Sequence, residues 1–154
     1  MELKKYGFRN TYGIDLGTSA FLYRENQDDY KESQCYTNAF HLCSRRLHSG
    51  DKNVKVVFGY VLSSNSEKKV AVRHAWNLVN DVSGSLIPVD VTMLANGENV
   101  ISILNYTYLP ICEYSAFEYL DAIDANNGYS SLPVSPKEQE YIERLKRKGF
   151  EVLL

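Results

Sequence analysis

Gln34-Cys35-Tyr36-Thr37-Asn38-Ala39-Phe40-His41-Leu42-Cys43-Ser44-Arg45-Arg46 decides the fold class, because Cys35, Ala39, Leu42, Cys43 and Arg46 fall at i, i+4, i+7, i+8 and i+11. That spacing predicts a helix with one stripe turned towards the body of the protein. Ser33 or Gln34 stands where a cap belongs, and Ser49-Gly50 closes the helix with a C-terminal glycine. Cys35 then lies in the first turn, on the inward stripe. Downstream the pattern becomes extended. Residues 54–62 are β-branched and aromatic, and Ser63-Ser64-Asn65-Ser66 is a turn cluster. Residues 69–79 form a second strand-like run, ended by Asn80-Asp81-Val82-Ser83-Gly84. Residues 85–93 form a third, which Pro88 places near an edge or a bend. Short polar loops predict antiparallel hairpins. A helix followed by such hairpins is an α+β layout, with the Cys35 helix packed on an antiparallel sheet.

Working outward, residues 1–32 are mixed, and Gly7, Gly13 and Gly17 interrupt any helical period. Short strands or irregular structure are expected over 11–23, followed by an exposed loop at Gln27-Asp28-Asp29-Tyr30-Lys31-Glu32. Towards the C-terminus, Asn96-Gly97 marks a turn and 100–104 predicts a further strand. Residues 114–123 predict a helix, with Phe117, Leu120 and Ile123 in register. After the break at Asn126-Asn127-Gly128, Ser135-Pro136-Lys137-Glu138 opens a C-terminal helix with an N-cap serine, a proline at N1 and a capping-box glutamate. Gly149 ends that helix, and 150–154 return as a terminal strand. There is no internal repeat.

The 154 residues suit a single domain spanning 1–154, with apolar residues at 44% and charged residues at 23%. A formal charge of −2 argues against nucleic-acid binding, which needs a surplus of Lys and Arg. The basic cluster at 144–148 follows Glu138, Glu140 and Glu143, an order that suits a solvated helix and its dipole. No apolar run is long enough to span a membrane, and Met1-Glu2-Leu3-Lys4-Lys5-Tyr6 lacks the apolar stretch of a secretory signal. Three cysteines without a small-scaffold spacing argue against a disulfide framework. A reducing, cytoplasmic setting is expected.

Three short motifs carry the chemistry: Gln34-Cys35-Tyr36-Thr37-Asn38-Ala39, His74-Ala75-Trp76-Asn77 and Pro88-Val89-Asp90-Val91-Thr92. A cysteine in the first turn of a helix feels the positive end of the macrodipole, which favours thiolate. A histidine on a neighbouring strand can take the thiol proton and return it to a leaving group. An aspartate on the next strand can accept the second imidazole N–H and fix the tautomer. His74 and Asp90 are separated by one turn cluster, so a hairpin places them within side-chain reach.

These motifs resemble the papain/transglutaminase-like superfamily over residues 34–93, less than half the chain. His-Ala-Trp followed by Pro-Val-Asp-Val-Thr is especially similar to transglutaminase-like domains, and the order nucleophile, base, carboxylate also matches arylamine N-acetyltransferases. The resemblance implies a Cys35–His74–Asp90 triad performing acyl transfer through a thioester, of peptidase, deamidase or transamidase type. It implies no cofactor and no metal. Papain-type peptidases carry an oxyanion glutamine before the nucleophile; Gln34 is adjacent to Cys35 and Gln27 lies eight residues upstream. The Cys35 backbone N–H, with one side-chain donor, is the expected oxyanion hole. The tryptophan that follows a papain cysteine is Tyr36 here, and the Arg-Gly-Gly of the acetyltransferases is absent.

Other residues have blander readings. Cys43 reads as a small core hydrophobe, and Cys112 as structural. Asp81 competes with Asp90, but a turn explains it. Trp76 reads as packing near the site, with Asn38 and Asn77 as supporting polar groups. Cys35, His41, Cys43 and His48 lack a zinc spacing and point to different sides of one helix. Gly13-Ile14-Asp15-Leu16-Gly17-Thr18-Ser19 resembles a phosphate motif of the actin-like ATPases, and chance or local hairpin chemistry is its simpler explanation. The expected partner is a protein, peptide or small amide substrate. Two rival readings are a non-catalytic protein-binding module of the same fold and a self-associating scaffold that uses the tyrosine-rich segment 106–119.

Overall fold

The computed structural model describes residues 8, 10–65 and 67–154; the sequence readings of residues 1–6, Gly7 and Ser66 lie outside the described residues. The chain is α+β. The stripe that begins at Cys35 becomes helix α2 (Cys35–His48), which buries Asn38, Ala39, Leu42 and Cys43. It stops at Ser49, and Gly50 takes φ +99°, which suits a residue without Cβ. Just beyond, buried Asp51 accepts from the Arg46 guanidinium and from the backbone and side-chain N–H groups of Asn80. That carboxylate ties the end of α2 to the sheet.

Strands β1 (Lys55–Ser64) and β2 (Lys69–Asn80) pair antiparallel along their whole length, with Gly59 opposite His74. β3 (Leu86–Val89) pairs with the end of β2, β4 (Thr107–Ser115) pairs with β1, and the order is β3-β2-β1-β4. β5 (Glu151–Leu153) joins the start of β2 in parallel, so the sheet is antiparallel apart from this terminal strand. Pro88 and Pro110 both lie on edge strands, where a missing N–H costs no ladder bond.

One face of the sheet packs on α2, α5 (Ala116–Ala125) and α6 (Pro136–Arg147) through Val56, Phe58, Tyr60, Ala75 and Val79. The other face packs Val57, Val61, Trp76 and Tyr108 against α3 (Val91–Ala95) and α4 (Val100–Asn105). Alternation along β2 therefore sends neighbouring residues into different layers.

Several expectations are corrected. Residues 16–25 are helix α1 (Leu16–Glu25), whose N-cap Asp15 accepts from the Thr18 N–H at 2.9 Å, so the Gly13–Ser19 stretch is a capped helix start and no hairpin. The Cys35 helix is thus the second helix of the chain. The third strand ends at Val89, because Asp90 caps α3, and 100–104 is helical because Asn99 caps α4. Tyr114 belongs to β4 and the next helix starts at Ala116, after a Ser115–Glu118 capping box. Glu138 does not complete a capping box: Ser135 accepts its N–H, but its carboxylate turns inward to Arg73 and Tyr60. In the tyrosine-rich segment Tyr108 and Tyr119 are core residues.

Candidate active site

Three elements converge on the middle of β2, where that strand lacks an outer neighbour. β5 pairs with β2 only as far as Val72 and β3 only from Asn77, which leaves Arg73 to Trp76 between them. His74 projects from this stretch. Opposite it, Gly59 offers no side chain, and a Cβ there would lie 2.0 Å from the Leu109 carbonyl oxygen and 2.8 Å from the Trp76 ring. Trp76 crosses β1 at this point, with its ring 6.2 Å from the His74 ring and nearly parallel to it. Its Nε1–H donates to the Tyr12 hydroxyl at 2.8 Å. Trp76 is buried packing that braces the histidine.

Asp90 ends the strand and begins a helix, and both facts aim its carboxylate. Oδ1 accepts the Thr92 N–H at 3.1 Å as the cap of α3. Oδ2 meets His74 Nε2 at 2.7 Å and accepts from the Tyr108 hydroxyl at 2.7 Å. The Asp90 N–H donates to Ser19 Oγ at 3.0 Å, and that buried serine donates to the Asp15 carbonyl. Asp90 is almost fully buried. Asp81, the rival, accepts from Ser83 and Ser85 within its own exposed turn.

Cys35 is the first residue of α2 and borders a cleft of about 380 Å³ together with His74, Thr92, Asn96, Glu98 and Tyr106. Asp90 takes Nε2 of the His74 ring, and Cys35 lies close enough to that ring to help raise its proton affinity. Burial alone would depress the imidazole. The Asp90 charge and hydrogen bond, then the Cys35 contact, outweigh burial and hold His74 up at about 10. That balance favours the protonated ring. Burial, then the Asp51 charge, pushes the Cys43 thiol up to about 11, and burial also raises Cys112.

The approach to Cys35 is fixed from both sides. Ser33 has φ +59°, uncommon for a residue with a side chain, and its N–H is held by Asn96 Oδ1 at 2.8 Å. Asn38 spans Lys31, accepting its N–H and donating to its carbonyl, and also donates to Thr92 Oγ1 at 2.9 Å. Asn77 donates to the carbonyls of Ala39 and Lys55. Both asparagines are structural ties that hold α2 against β2 and α3. Gln34 and Gln27 are exposed and neither lines the cleft. Gln34 gives α2 no side-chain cap, whereas Asp15, Asp90, Asn99, Ser115 and Ser135 cap the other α-helices. Gln34 thus offers no side-chain acceptor to the first-turn N–H groups of α2.

On the opposite face, Arg73 makes a buried ion pair with Glu138, Nε to Oε2 at 2.7 Å, and donates to the Leu132 carbonyl. Tyr60 donates to the same Oε2 at 2.6 Å. Sequence reading missed Tyr108, Arg73, Glu138 and Ser33. Ser33 and Glu138 were legible only as capping residues, and Tyr108 only as part of a tyrosine-rich segment. Among the described residues no group of three or more His, Cys, Asp or Glu is arranged to hold a metal ion, and no helix is long and apolar enough to cross a membrane. No protein-family model, curated protein or solved structure matches the chain.

Proposed function

We propose that the chain is a thiol-dependent acyl-transfer enzyme that acts on an amide or thioester through Cys35, His74 and Asp90, in the manner of the papain/transglutaminase-like enzymes. The observation that carries this reading is a buried imidazole bonded to the Asp90 carboxylate and lining the same cleft as Cys35. In the reactive state the Cys35 thiol proton resides on His74, leaving the sulfur as the nucleophile. The sulfur attacks the substrate carbonyl, and the resulting oxyanion takes the uncapped backbone N–H of Cys35. His74 passes its Nδ1 proton to the leaving amine or thiol, which departs as the thioester forms. The ring, now neutral, takes a proton from water or an acceptor amine, which attacks the thioester and frees the sulfur. Asp90 keeps Nε2 protonated throughout, and Tyr108 holds the carboxylate oxygen in place.

Site-resolved alkylation with iodoacetamide near neutral pH tests the proposal. Cys35 is expected to react fastest of the three cysteines, and His74→Ala slows it by at least about tenfold. Equal slow rates at Cys35 and Cys43 defeat the enzyme reading and leave a protein-binding module of the same fold.

A further inference from the structure

We propose that the substrate carries a cationic group, an ammonium or guanidinium, which Glu98 receives at the rim of the cleft; this rests on the thiol reading above. Three residues with charged side chains line the cleft: Arg73, His74 and Glu98. Arg73 is spent, with Nε and both terminal nitrogens engaged by Glu138, Leu132 and Tyr36. His74 is answered by Asp90. Glu98 has no ion-pair partner among the described residues, and its Oε2 accepts only from the neutral Tyr106 hydroxyl at 3.2 Å. With the two buried pairs compensated, Glu98 leaves the cleft net negative.

Its position is set by the same contacts that fix Cys35. Asn96 Oδ1 holds the Ser33 N–H, Gly97 turns the chain at φ +68°, and the Glu98 N–H donates to the Met93 carbonyl at 3.1 Å. The carboxylate therefore stands on a rim pinned to the segment that leads into the nucleophile helix. The cleft is at the small end of ligand sites, so an amino acid residue bound over Cys35 has its side chain within reach of Glu98. A basic peptide or amino-substituted amide suits this field, and a polyanionic thioester carrier is repelled by it.

Charged methanethiosulfonates read the field at the sulfur without a known substrate. The thiolate attacks the reagent's divalent sulfur, a mixed disulfide forms and methanesulfinate leaves. Rates at Cys35 are measured for the 2-aminoethyl, methyl and 2-sulfonatoethyl reagents on the full folded chain, then on the urea-unfolded chain to remove intrinsic reagent differences. The normalised cation-to-anion rate ratio is expected to be about tenfold or more. It should collapse towards the unfolded value in Glu98→Gln and invert in Glu98→Lys, with thermal unfolding confirming that both variants are folded. A ratio that is equal in wild type and Glu98→Gln, or an anionic reagent that reacts faster, overturns the cation site. If instead the neutral methyl reagent modifies Cys35 no faster than Cys43, the thiol reading itself falls, whatever the charge ratio.

Discussion

Arg73 and His74 are neighbours on β2, and the chain gives each the same three parts on opposite faces of the sheet. Each has a cationic side chain, a buried carboxylate from a helix start and a tyrosine hydroxyl from another strand on the same carboxylate oxygen. On one face these are Arg73, Glu138 and Tyr60, and on the other His74, Asp90 and Tyr108. The difference lies in what is left over. A guanidinium stays charged, and the nitrogens of Arg73 are turned onto protein acceptors. An imidazole can give up its proton, and His74 lines the same cleft as the Cys35 thiol. The same arrangement thus locks the fold on one side and holds a movable proton on the other.

The strongest way to break this comparison is to strip each carboxylate. Glu138→Ala leaves a guanidinium buried without its counter-ion, and loss of a buried partner costs about 3–5 kcal/mol. Urea unfolding should show that loss, while Cys35 in the folded fraction keeps its alkylation lead over Cys43. Asp90→Asn should instead lower Cys35 reactivity by about 10²-fold or more, since the imidazolium loses its main support. A Glu138→Ala loss below about 1 kcal/mol, the level of an exposed pair, would contradict the locking role.

A smaller effect separates the two sides by pH. His74 is held up at about 10 when folded, against an ordinary value of about 6.5 when unfolded. Its contribution to stability is whole below about pH 6.5 and is lost as pH rises from there through about 10. Removing the thiol with Cys35→Ala keeps the Asp90 support and takes the sulfur out of the titration. Across that window the stability of Cys35→Ala should fall a few kcal/mol more than that of Cys35→Ala/His74→Gln, at about 1.4 kcal/mol for each tenfold change in proton affinity. Parallel pH curves for the two variants would show that His74 gains nothing from folding.

The asymmetry also explains what the sequence made legible. Helix α2, the β1–β2 hairpin and helix α6 announce themselves through local pattern: a stripe from Cys35 to Arg46, β-branched runs, and Ser135-Pro136. The short helices were misread because Val91, Thr92, Val100 and Ile101 favour strands, whereas the caps at Asp90 and Asn99 decided the outcome. Strand β4 was hidden by Pro110 and by a register shift opposite Phe58 and Gly59. In the site, Cys35, His74 and Asp90 were visible because each lies in a recognisable local setting. Tyr108 and Glu138 were not, since they reach their partners from 18 and 65 residues away in sequence. Such pairings are fixed by sheet order, and no local period encodes sheet order.

The finest distinction is between the two tyrosines, which do the same thing for different ends. Tyr60→Phe and Tyr108→Phe each remove one hydroxyl from a buried carboxylate and keep the ring. Each should cost about 1.5–3 kcal/mol in urea unfolding, the usual worth of a hydrogen bond to a charged group. Only Tyr108→Phe should also alter the pH profile of Cys35 alkylation. With one donor gone from Oδ2, the carboxylate charge falls more fully on the imidazolium, so the upper step of the profile moves to higher pH. Tyr60→Phe changes the support of Arg73, which has no proton to exchange, and should leave that profile where it is. A shift of equal size in both variants would mean that the two faces of β2 are coupled, and that Arg73 and Glu138 belong to the reactive machinery as well as to the frame.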